Sequence, residues 1–165
     1  MTNTSNPEPA SVRVHTGVSA PKKAAEALSG VLADTYSLLI KTHAVHWNVE
    51  GPMFFAVHNL TEAQYNDLFA ASDVIAERIR ALGQLTAMSP TALLQGSVVS
   101  DVAAPYDAVS LCESLADDHA NISKRLHEVI KIAGDANDPV TEDLATGRSA
   151  FHEKAAWMLR ALAAT

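Results

Sequence analysis

Gly51-Pro52 interrupts an apolar pattern that recurs at three- and four-residue intervals on both of its sides. Before it stand Ala24, Leu28, Val31, Leu32, Tyr36, Leu39 and Ile40; after it stand Val57, Leu60, Leu68, Phe69, Val74, Ile75 and Ile79. Such spacing is that of an amphipathic helix with one buried face. Proline cannot donate to a helical ladder and glycine favours a turn, so the chain breaks there and reverses. The result is two long antiparallel helices, one from Pro21 to about Val49 and one from about Phe54 to Leu82, closed by Gly83. The end of the first must lie beside the start of the second.

The rest of the chain repeats this pattern. Ser89-Pro90 opens a brief helix, TALLQ, that Gly96 ends. A third long helix is expected from near Pro105 through Leu111, Leu115, Ile122, Leu126 and Val129 to Gly134. Asp138-Pro139 supplies an N-cap and first position for a fourth, which continues through Leu144, Phe151, Trp157, Leu159 and Leu162. Strand signals are nearly absent, and SVVSDV at 97–102 reads as a loop. The expected fold class is all-α: a four-helix bundle over residues 21–165 with a short extra helix between the second and third long helices. Residues 1–20, rich in Thr, Ser, Asn and Pro, read as a mobile N-terminal arm.

Composition narrows the function classes. A chain of 165 residues with 48% hydrophobic and 19% charged residues suits one globular domain. No apolar run is long enough to span a bilayer, and the N-terminus lacks the basic start and apolar stretch of a secretory signal. The single cysteine, Cys112, suits a reducing cytoplasm and reads as a small buried residue rather than a reactive thiol. A net charge of −7 argues against a basic surface for nucleic acid over the whole protein.

The candidate chemistry lies between residues 41 and 84. His46 is near the end of the first helix and His58 about one turn into the second, so both imidazoles meet at one end of the bundle. Glu62, four residues after His58, shares its face. Two imidazoles and a carboxylate suit a first-row transition metal such as iron. Asp73 and Glu77 form a second i,i+4 pair, but the eleven residues between Glu62 and Asp73 span roughly 16 Å of helix axis. One metal cannot bridge that length. Either there are two sites, or a second chain running antiparallel about a two-fold axis completes one. The shared site needs no further ligands and is the preferred reading.

The segment KTHAVHWNVEGPMFFAVH…E…D…AERIRALG closely resembles the mini-ferritins called Dps, DNA-binding proteins from starved cells. The resemblance runs over nearly all the chain after the arm, including the ending HEKAAWMLRAL. It implies that His46, His58 and Glu62 ligate iron together with Asp73 and Glu77 of a two-fold-related subunit. Some members carry Asp where Glu62 stands, which alters reach while keeping the charge. The implied activity is a ferroxidase that oxidises Fe(II), preferably with hydrogen peroxide, and stores ferric mineral inside a hollow dodecamer. Trp47 adjoins a ligand, where an aromatic can donate an electron or simply pack. His43, one turn before His46, reads as a hydrogen-bonding neighbour of the ligands rather than a ligand. Tyr65 and Trp157 read as core or interface packing. Asp143, with Asp138 and Asp135, occupies the region of the family's acidic iron-entry pores, although Asp at a helix start is also ordinary capping.

A ferritin with an intrasubunit di-iron site is the first rival, and it requires Glu-x-x-His motifs. None occurs here: His119 follows Asp117-Asp118, and position 116 is Ala. A DNA-compacting, nucleoid-associated protein with secondary iron chemistry is the second. The arm offers only Arg13, Lys22 and Lys23, with Glu8 among them, and the C-terminus RALAAT is not basic. Weak or absent DNA binding is therefore expected. A helical bundle without chemistry would leave the ligand spacing as coincidence.

Overall fold

The computed structural model describes residues 13–164. It contains α1 (Pro21–Asn48), α2 (Phe54–Ala81), the short α3 (Pro90–Leu94), α4 (Ala108–Asp135) and α5 (Pro139–Ala163). No strand occurs among the described residues, and segment 97–102 is a loop as expected. The four long helices form a bundle in which α1 packs on α2 and α4 on α5, with α1 also packing on α4. Leu28, Leu38, Leu68, Ile75, Leu115, Ile122, Leu126 and Leu159 fill its centre. Each such side chain contributes about 1.5–3 kcal/mol by leaving water. Among the described residues no helix is long and apolar enough to cross a membrane.

The helix ends follow local chemistry. Gly83, at φ +87°, takes the left-handed position after α2, and its amide donates to the Arg80 carbonyl. The third long helix starts at Ala108 rather than near Pro105, because Asp107 caps it: its carboxylate accepts from the Ser110 amide at 3.0 Å and the Ser110 hydroxyl at 2.7 Å. Asp138 caps α5 through the Thr141 amide at 3.0 Å, with Pro139 in the first position, as the sequence indicated.

Two buried carboxylates fasten the loop after α3. Asp34 on α1 accepts from the Val98 amide at 2.8 Å and pairs with Arg125 of α4 at 2.9 Å. Burial nevertheless pushes its carboxyl above the ordinary value. Asp118 on α4 accepts from the Ser100 amide at 3.1 Å and pairs with Lys41 of α1. Cys112 is fully buried on α4, and burial, with Glu113 beside it, pushes its thiol up to about 11, which makes it inert.

The arm expected over 1–20 divides. Residues 1–12 lie outside the described residues. Residues 13–20 lie against the bundle: the Val14 amide donates to the Ala81 carbonyl at 3.0 Å, the Ser19 amide to the Ala136 carbonyl at 2.9 Å, and Val18 is buried. This segment caps the ends of α2 and α4, whose terminal carbonyls lack helical partners.

Candidate metal centre

Because α1 and α2 reverse over five residues, His46 in the last turn of α1 meets His58 in the second turn of α2. Their rings stack at 3.7 Å between centroids, 19° from parallel. His46 Nδ1–H donates to the backbone carbonyl of His58 at 2.9 Å, and His58 Nδ1–H donates to the backbone carbonyl of His46 at 3.0 Å. A carbonyl oxygen only accepts, so each neutral ring carries its proton on Nδ1 and keeps the Nε2 lone pair for a metal. The Thr61 hydroxyl adds a contact to His46 Nδ1 at 3.2 Å. None of these positioning groups was read from the sequence. Two are main-chain atoms with no sequence signature, and Thr61 has meaning only once the hairpin is built.

Glu62, Asp73 and Glu77 are all exposed on α2. At about 100° per residue, positions 58, 62, 73 and 77 fall within a stripe about 100° wide. Phe69, 65% exposed, lies in the same stripe between the acids, and Phe55 and Val74 are exposed nearby. Among the described residues no three His, Cys, Asp or Glu side chains come together as a metal-binding group. A single chain thus brings the two histidines together and leaves the three acids spread along the helix.

The aromatic residues form a cluster beside His46. His43 stacks on Trp47 at 5.1 Å between centroids and packs on Tyr65 at 4.2 Å with the rings tilted by 43°, and Tyr65 stands edge-on to His46 at 5.1 Å. Phe54 packs on His58 at 4.9 Å. His43 therefore touches the site through rings, and the hydrogen bonds expected of it come instead from the carbonyl of His58 and from Thr61. Trp47 is 70% exposed, and its ring stacks on His43. Trp157 is also exposed, which removes it from the core.

The pore candidates separate as well. Asp135 and Asp143 are exposed at the α4–α5 corner. Asp138 is only 1% exposed, and its carboxylate accepts from the Thr141 hydroxyl and from Arg78 Nη2, both at 2.6 Å. Burial opposes its ionisation, but the hydrogen bonds from Arg78 and Thr141 outweigh it and hold the carboxyl below the ordinary value. The oxygens of Asp138 are thus committed inside the subunit, whereas Asp135 and Asp143 face solvent. Arg78 directly follows Glu77, so this pair ties the acidic end of α2 to the start of α5.

Comparison with known proteins agrees with this architecture. Residues 25–165 match the ferritin-like domain family. The chain is 34% identical over 140 residues to DNA protection during starvation protein 2 of Bacillus anthracis, covering 85% of this chain and 96% of that one. The crystal structure of Dps from Staphylococcus aureus superposes with a TM-score of 0.83 at 35% identity, over 87% of this chain and 97% of that one. The Vibrio cholerae Dps structure, described as a member of a broad superfamily of ferritin-like diiron-carboxylate proteins, gives a TM-score of 0.81 at 28% identity, over 87% and 91% of the two chains. The chain belongs to the Dps family of ferritin-like proteins.

Proposed function

We propose that this protein is a Dps-type ferroxidase and iron store. Fe(II) is its substrate, bound at sites shared between two-fold-related subunits. His46, His58 and Glu62 come from one subunit, and Asp73 and Glu77 from the other. The observation that carries the reading is the reciprocal bonding of His46 and His58, which presents two Nε2 lone pairs at one end of a stripe of unpaired carboxylates. An antiparallel copy of α2 would bring the distant pair of acids to the histidines, and the exposed Phe55, Phe69 and Val74 supply apolar surface for the contact.

The donor set suits the redox change. Imidazole nitrogen holds Fe(II), while carboxylate oxygen favours the harder Fe(III) and hands it on to oxide. Hydrogen peroxide is the proposed oxidant: two Fe(II) give up one electron each, and peroxide takes both with two protons to leave two waters. Pairing the electrons avoids releasing hydroxyl radical and so protects the cell and its DNA. Trp47, stacked on His43, is placed to supply an electron when only one iron is present. Ferric mineral is then stored inside a hollow homo-oligomer, a dodecamer by family analogy, with Asp135 and Asp143 at its entry pores. A cytoplasmic location fits this role.

The test is anaerobic loading with Fe(II) followed by peroxide, comparing wild type with His46→Ala and Asp73→Ala. Both variants should bind less Fe(II) and oxidise it slowly. Wild-type rates in both would remove the site assignment.

A further inference from the structure

A second imidazole pair lies inside the bundle, away from the proposed metal site. His119 of α4 and His152 of α5 are fully buried, with Nδ1 facing Nδ1 at 2.8 Å. Among the described residues their Nε2 atoms have no hydrogen-bond partner, nor do Gln64 Nε2 and Oε1, Arg148 Nε and Nη2, or Thr42 Oγ1, all of them buried. A buried polar group left unpaired is destabilising, so seven of them form more than a packing flaw.

Contacts between the helices set these side chains at one level. Lys41, next to Thr42, pairs with Asp118, next to His119. Asp67, one turn after Gln64, bonds Arg148 at 2.6 Å, and Arg148 is one turn before His152. All four long helices therefore contribute a buried polar side chain to the same layer.

The chemistry of the layer selects its ligand. Burial and, secondarily, the Arg148 cation push His119 down to about 3, and burial, His119 and Arg148 push His152 well below its ordinary value. Both rings are thus neutral. In a neutral pair one Nδ1 donates to the other, so one ring offers a bare Nε2 and the other an Nε2–H. With the Nδ1 atoms facing each other, the Nε2 atoms point to different neighbours, and one metal ion cannot take both. Asp67, the carboxylate of this group, is already bonded to Arg148. What fits is a small neutral molecule that both donates and accepts.

We infer that the centre of this bundle is an enclosed water site, in which two or three water molecules bridge Gln64 of α2 and Thr42 of α1 to His119, His152 and Arg148. A buried water makes about three and at most about four hydrogen bonds, so two fully bonded waters, or three ordinary ones, satisfy the seven unpaired atoms. The bound water joins α2 to α4 and α5, adding to the direct Asp67–Arg148 hydrogen bond at this level.

The test is a high-resolution crystal structure of the assembled wild-type protein, solved with and without a zinc soak, together with water relaxation dispersion in solution. The expected result is at least two ordered waters, each within hydrogen-bond distance of two or more of the named atoms. Solution relaxation should show correspondingly fewer long-lived waters in Gln64→Leu. A dry layer in which Gln64 bonds directly to His119, His152 or Arg148 overturns the inference. So does an anomalous zinc peak in the layer, which would make it a metal site. An unchanged count of long-lived waters in a folded Gln64→Leu also counts against it.

Discussion

His46 and His58 each orient the other through the main chain, by Nδ1–H to carbonyl bonds of 2.9 and 3.0 Å. Main-chain acceptors survive side-chain replacement. In His58→Ala the carbonyl that holds His46 is still present, so the variant loses one proposed ligand without misorienting the other. The Thr61 hydroxyl, at 3.2 Å, supports a ring that is already fixed. Loss of a neighbour that alone orients a ligand typically lowers affinity about 10–100-fold. Thr61→Val should fall below that range, with less than about a tenfold loss, while His46→Ala exceeds it. Anaerobic Fe(II) titration measures both. Equal losses would mean that the hydroxyl, not the carbonyl, sets the ring.

A site split between subunits makes a quantitative prediction about mixtures. In a two-fold dimer of one His46→Ala and one Asp73→Ala subunit, one site collects both lesions and the other collects none. Random exchange makes half of the dimers mixed, so about a quarter of all sites are intact. Peroxide-driven Fe(II) oxidation should recover to about a quarter of the wild-type rate once exchange is complete. Two inactive parents that stay inactive after exchange, shown by mass spectrometry, would count against the shared site.

DNA retention should be weak. Arg13 is turned onto the Val18 carbonyl at 3.0 Å, and Lys22 lies 3.9 Å from Glu26. Exposed pairs of that kind contribute little to stability, yet they reduce the cationic surface offered by a chain of net charge −7. Binding that depends on phosphate neutralisation falls steeply with salt. Plasmid mobility should be unchanged at ~150 mM salt, and tight retention there would favour the nucleoid-compaction alternative.

The bundle and its hairpin were legible because Gly51-Pro52 and the three-four apolar spacing are local signals. The clustering of His46 with His58 followed from them, since a short turn places helix end beside helix start. What the sequence did not reveal depends on contacts distant along the chain. His119 and His152 are 33 residues apart and meet only because α4 and α5 pack closely. Asp138 was legible as a cap, but its burial against Arg78, 60 residues earlier, was not. A cap and a pore residue look identical in sequence until the side chain's partner is known.

Asp138→Ala should therefore affect stability rather than iron entry. It removes the cap of α5 and leaves Arg78, 14% exposed in its side chain, without its carboxylate. Losing a cap costs about 1 kcal/mol, and leaving a buried charge unpaired about 3–5 kcal/mol. Partial exposure of Arg78 lowers the second figure, so the sum is about 3 kcal/mol. For a chain of this size that is a fall of about 6–12 °C in Tm, measured on iron-free protein at fixed concentration. Initial rates of iron uptake at low temperature should be close to wild type. A folded, equally stable variant with slowed uptake would restore Asp138 to the pore.

The buried imidazoles should govern acid stability. His119 is pushed down to about 3 from an ordinary 6.5, and His152 is lowered in the same direction. An unfolded chain exposes both, and they bind protons as pH falls below 6.5, while the folded chain keeps them neutral. The unfolded state thus holds more protons in this window, and stability declines as pH falls from 6.5 toward about 3. Each extra proton steepens the decline by about 1.4 kcal/mol per pH unit. Above pH 6.5 the pair is neutral in both states and contributes no slope. Tm of iron-free protein, followed from neutral pH to about pH 4.5, should drop more steeply in wild type than in the double variant His119→Phe, His152→Leu. The variant retains the exposed histidines and the carboxylates, so it isolates the buried pair. Parallel curves would show that the acid response lies elsewhere.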